Sequence, residues 1–214
     1  MLFHLVKKDF LIVKKYVLLM LLVSILIPLF MLWRVPAKYA GSMGFLISVI
    51  FAVFMLLQYV SMKEDQYPKA AALLCAAPYP RRDLVLSKYI FCLVIYAGCC
   101  ILFGVETLIF RGLGTFHLEL QVFMFFVLSL FLGIYLPMQY QWGYEKTKFV
   151  FAVIIMASPF ILPQLLKMDF GAGQGFLRGI SPLLLYGGMM ILGAAVLTIS
   201  AVASVKIYNR ADLA

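Results

Sequence analysis

The residues able to do chemistry are few in this chain, and their spacing argues against catalysis. Two histidines, His4 and His117, sit far apart. Of the four cysteines, Cys92, Cys99 and Cys100 lie in one apolar run and Cys75 in a short polar stretch, with no C-x-x-C pair. No metal-ligand spacing results, and the cysteines read as small apolar packing residues. "GAGQG" at Gly171–Gly175 lacks the lysine and hydroxyl of a phosphate-binding loop. "DFG" at Asp169–Gly171 stands without any other kinase motif, so both read as loop glycines. Cleaving a peptide bond inside a membrane needs paired acids, a serine–histidine pair or metal-binding histidines. The apolar segments offer neither two aspartates nor a histidine. Glu106 is the one acid well within an apolar segment, and an ionisable residue there is a candidate substrate contact. Its other reading is a shallow acid about a turn from the outer headgroups, reaching Arg111 or water; Glu119 sits similarly.

The elements that hold these residues are set by composition. Hydrophobic residues make up 65% of the 214 and charged residues 13%, against about half and about a quarter in a soluble domain. A bilayer accepts that much apolar surface where a soluble fold cannot bury it, so the chain reads as an all-α integral membrane protein. Six segments are long enough to span: 16–33, 41–62, 89–110, 120–140, 149–166 and 182–205. Each must be helical in lipid, because a helix satisfies its own backbone. Pro159 and Pro163 are expected to kink or break the fifth, whose outer end is open to being re-entrant.

The formal charge is +9, but no aromatic-plus-basic surface motif points to nucleic acid. Basic residues instead flank the spans. With the N-terminus inside, thirteen of the eighteen Lys and Arg fall on the cytoplasmic side and five outside. The positive-inside rule therefore places both termini in the cytoplasm. Ahead of the first span, Phe3, Val6, Phe10, Val13 and Val17 fall on one helical arc, with Lys7, Lys8, Lys14 and Lys15 on another. Asp9 and Leu11 are misfits in that pattern. Residues 1–15 read as an amphipathic helix in the inner-leaflet interface, or as a merely basic flank that sets topology. Trp33, Tyr59, Tyr89, Tyr140 and Trp142 read as interfacial anchors.

One stretch is dense in charge, from "SMKEDQYPK" through "LLCAAPYPRRDLVLSKYI". Asp65 or Tyr67 can cap a short helix over 66–77, with Pro68 in its first turn, a favoured place for proline. "KAAALLCAA" has high helix propensity, and Pro78 and Pro80 then end it. Read without any relative, this is either a short helix held beneath the membrane or a connecting loop with basic anchors.

An acid after span two, a short helix, paired leucines, a proline, a basic pair and "DLVLSKY" together resemble bacterial ATP-binding-cassette permeases of the ABC-2 type. The matching residues are Leu73, Leu74, Pro78, Arg81, Val85, Ser87 and Lys88. Ala77 departs from the pattern, since many relatives carry leucine before the proline. The resemblance implies an exporter-like transport subunit of the bacterial cell membrane, without its own ATPase site, whose ATP and Mg are bound by a partner. In that family the first helix is the elbow helix, and the helix after span two is the coupling helix that docks on the ATPase. The implied coupling residues are Glu64, Asp65, Tyr67, Pro68, Lys69, Leu73, Leu74, Pro78, Arg81, Arg82 and Lys88. Glu145 and Lys146 in "QWGYEKTK" would add a second contact. Two permease copies, identical or homologous, and two ATPase subunits would form the working unit. The expected cargo is hydrophobic or amphipathic. Resemblance to the small exporters of phenol-soluble modulins favours a peptide, and multidrug or antimicrobial-peptide immunity permeases fit nearly as well. A stand-alone secondary transporter or a non-transporting scaffold is the alternative from another class; the former would show paired broken helices.

Overall fold

The computed structural model describes residues 2–34, 37–67, 80–110, 118–153, 156 and 182–210. Among them are six helices and no strand. These are α1 (Leu2–Arg34), α2 (Ala37–Gln66), α3 (Arg81–Ile109), α4 (Leu118–Trp142), α5 (144–153) and α6 (Pro182–Arg210). All but α5 are long and apolar enough to cross a membrane. Of the fifth expected span, 149–166, only 149–153 and 156 are described, and its prolines lie outside.

Residues 2–15 and the first span form one uninterrupted helix. At 1.5 Å per residue α1 is about 50 Å long, beyond the roughly 30 Å of a hydrocarbon core. The arc read from the sequence is real but meets protein. Val6 and Val13 are buried, and Phe10 and Val17 pack on the core. Phe10 sits edge-on to Phe91 at 4.8 Å. Phe3 alone departs, 83% exposed.

α2 is the central helix. In its apolar window 83% of residues are buried, against 11% in α1, so α1 gives most of its surface to lipid or a partner. α1 and α2 cross where Pro28 meets Gly44. A Cβ on Gly44 would lie 2.6 Å from the Pro28 Cα, so only glycine permits this approach. The α4–α6 crossing also uses small residues. A Cβ on Gly133 would lie 2.8 Å from a Val196 methyl, and the Gly133 carbonyl accepts a 3.0 Å hydrogen bond from Ser200.

Chain direction follows from the side-chain ties. Tyr186, near the start of α6, donates to Glu119 at the start of α4 at 3.0 Å. Tyr140 and Tyr208, near the ends of the same helices, have rings 5.3 Å apart. α4 and α6 therefore run parallel. The start of α1, the end of α2, the start of α3, the end of α4 and the end of α6 share one end of the bundle, so the first and last described residues lie there.

The turn from α4 into α5 depends on Gly143, at φ +82°, whose N–H bonds the Gln139 carbonyl at 3.1 Å. Thr147, fully buried, returns a 2.9 Å hydrogen bond to the Gly143 carbonyl. Residues with a Cβ adopt this backbone region at a cost of about 1–2 kcal/mol. Gly143→Ala is therefore expected to lower stability by about 1 kcal/mol, read as a fall in the thermal midpoint in detergent; an unchanged midpoint would refute the requirement.

Candidate functional site

The polar stretch begins where α2 ends. Glu64 and Asp65 are in the last turn of α2, and Tyr67 is the first non-helical residue, exposed. The chain is described again from Pro80. Pro80 stands at the N-cap of α3 with φ −63° and ψ 136°, and its carbonyl accepts the Asp83 N–H at 2.9 Å. Its missing N–H costs nothing there, and Asp83 in the first turn suits the positive end of the helix dipole. α3 thus starts eight residues before the expected span, placing Arg81, Arg82 and Lys88 on a helix. Arg81 and Arg82 are exposed. Val85, Ser87 and Lys88 face inward and are buried.

Burying Lys88 demands a partner, since a lone charge out of water costs several kcal/mol. The partner is Glu64 from the end of α2, at 2.5 Å. The other oxygen of Glu64 accepts a 3.0 Å hydrogen bond from Lys8 of α1. Lys8 also lies 3.2 Å from Oδ1 of Asp9, a charge contact without hydrogen-bond alignment. Asp9, fully buried, accepts a 3.4 Å bond from Ser87. Two acids and two bases from three helices thus make one neutral cluster. Lys88 adds a contact to α4, its Nζ 5.5 Å from the Tyr140 ring centre. On the next residue of α3, the Tyr89 hydroxyl shares hydrogen bonds with Ser200 at 2.7 Å and Ser204 at 2.9 Å, tying α3 to α6.

The cluster joins Glu64 and Lys88 of the expected coupling set. Pro68, Lys69, Leu73, Leu74 and Pro78 lie outside the described residues, as does most of the 66–77 helix. Glu145 and Lys146 are exposed in the first turn of α5. The neighbouring Tyr144 phenol is pushed up from its ordinary value by partial burial and by the Asp65 carboxylate. α5 begins two residues after α4 ends, at the same end of the bundle as the end of α2. Both stretches expected to meet an ATPase therefore emerge at one end of the bundle.

Sequence reasoning missed Lys8 and Asp9. The available signal was register: Leu5, Asp9 and Val13 recur every four residues, and all three are buried. The anchors also divide. Trp33 and Trp142 are exposed, whereas Tyr89 and Tyr140 are taken up by the polar ties. Glu106 stands apart, eighteen residues beyond Lys88 and about 27 Å along α3. It is 5% exposed, and its Oε2 has no hydrogen-bond partner. Arg111, the partner considered for it, is outside the described residues.

Long apolar helices with most of their charges gathered at one end define a polytopic membrane protein with a built polar base. The family model described as ABC-2 family transporter protein matches residues 4–209, and the chain belongs to that family. It is an ABC-2 type permease, and this family works in general with an ABC ATPase. Comparisons with curated proteins and with solved structures gave no match.

Proposed function

We propose that this chain is the membrane-spanning subunit of an ATP-driven bacterial exporter, with no ATPase site of its own. A separate nucleotide-binding subunit supplies ATP and Mg chemistry and docks on the segment between α2 and α3. Residues 144–148 add the second contact, and two permease copies complete the unit. The termini face the cytoplasm, on the side the basic residues favour. The cargo is hydrophobic or amphipathic, a peptide above other classes, in keeping with strongly apolar spans. Glu106 is a candidate contact for a cationic group of that cargo.

The observation that carries this reading is the ion pair between Glu64 and Lys88. These residues border the docking segment on its two sides, and the pair closes its base. Lys8 and Asp9 extend the closure to α1. A push on the segment then reaches α1, α2 and α3 as one body, which a floppy base would absorb.

Inserting glycines at Ala71 and Ala72 tests this in vesicles holding the permease with its ATPase. Transport is expected to fall about 5- to 150-fold, the span of typical coupling energies, while the ATPase still co-purifies. Undiminished transport would refute the assignment, and failure of any ATPase to co-purify with the unaltered chain would refute the division of labour.

A further inference from the structure

An open groove of about 210 Å³ runs between α1 and α3. Phe10, Val17 and Leu21 of α1 form one wall, Val94 and Gly98 of α3 the other, and Leu56 of α2 lies at its base. No polar atom reaches its surface. Leu21 and Val94 are 38% and 47% exposed, so the groove opens sideways. A Cβ on Gly98 would meet nothing within 4 Å, so the space is not closed by a neighbour. The volume holds roughly seven methylene groups, each near a water molecule's share of about 30 Å³.

The end of the groove nearest the start of α1 is basic. At 100° per residue, Lys7 and Lys14 fall about 60° and 40° from Phe10, beside the groove-lining face. Lys8 falls on the far side, consistent with its bond to Glu64. Lys7 and Lys14 are exposed and have no acidic partner among the described residues. The nearby acids Asp9 and Glu64 are engaged by Lys8 and Lys88.

We infer that this groove binds an anionic phospholipid from the leaflet at the α1 N-terminal side, one acyl chain in the groove and the phosphate at Lys7 and Lys14. A wholly apolar slot running from headgroup depth toward the membrane middle matches an acyl chain. Two exposed lysines at its mouth, without an acidic partner among the described residues, match the charge of the headgroup, and a zwitterionic lipid lacks that match. The inference needs only the membrane placement of the helices, so it stands apart from ATPase coupling.

Native mass spectrometry of the purified full-length chain, offered phosphatidylglycerol or phosphatidylcholine, tests it. The unaltered chain should retain phosphatidylglycerol preferentially. Each of Lys7→Gln and Lys14→Gln should weaken retention about fivefold, the usual effect of one basic residue near an anionic surface. Gly98→Leu, which fills the groove without touching the charges, should reduce retention of the bound lipid without lowering the thermal midpoint. Equal retention of the two lipids overturns the inference. So does retention unchanged by all three substitutions, or a dimer across this face that excludes lipid.

Discussion

Glu64→Gln is expected to cost more stability than any other single change in the cluster, about 3–5 kcal/mol. Glu64 is the one member that pairs with both lysines, at 3.0 Å to Lys8 and 2.5 Å to Lys88. Removing its charge leaves two bases against Asp9 alone. Lys8 keeps Asp9, but Lys88, only 6% exposed, loses its carboxylate contact and keeps the Tyr140 ring and a neutral amide oxygen in its place. For a chain of this size the loss corresponds to a drop of about 6–20 °C in the thermal midpoint. Lys88→Met should cost less, because Glu64 still holds Lys8. Adding Lys88→Met to Glu64→Gln should restore part of the loss, by about 0.5–3 kcal/mol, since Lys8 and Asp9 then remain as a neutral pair. Additive losses in the double variant would show that the two side chains do not act as a pair. Thermal unfolding of the four proteins in detergent reads the whole cycle.

Gly44→Ala is expected to cost about 1–3 kcal/mol through overpacking, while Gly98→Ala should be neutral or stabilising by up to about 1 kcal/mol. The substitution is chemically the same, and the surroundings set the sign. At Gly44 the new methyl would lie 2.6 Å from the Pro28 Cα, which is backbone and cannot rotate away, so α1 and α2 must part. At Gly98 it meets nothing within 4 Å, leaving only the gain in helix propensity. Comparing the two midpoints with that of the unaltered chain checks both, and a Gly44→Ala protein as stable as the original would refute the close crossing.

The two cases mark where sequence reading reaches and stops. Pro28 and Gly44 are plain in the sequence, but their contact requires that α1 and α2 cross at that height. Likewise the arc of Val6, Phe10, Val13 and Val17 was legible as an apolar face. Periodicity says that a face is apolar; it does not say whether lipid or protein covers it. Residues 1–15 therefore read as an interfacial helix or a basic flank, whereas Val6 and Val13 are buried against protein. Tyr89 looked like an interfacial anchor for the same reason, because a tyrosine's apolar ring and polar tip suit either an interface or a buried pair of serines.

By itself the sequence determined the class of protein, the long apolar helices and the gathering of charge at the base of α2 and α3. Those properties are local or additive: an apolar run is helical in lipid whatever its neighbours, and composition alone rules out a soluble core. Only the tertiary structure decided which charges meet. Lys8 and Glu64 are 56 positions apart and Asp9 and Ser87 are 78 apart, distances over which no helical periodicity carries information. Asp9 broke the amphipathic pattern because the hydroxyl that bonds it, on Ser87, lies on another helix. The buried Asp9 carboxylate holds its place through the neighbouring Lys8 and a hydroxyl brought by α3, and the second of these appears only once the helices are assembled.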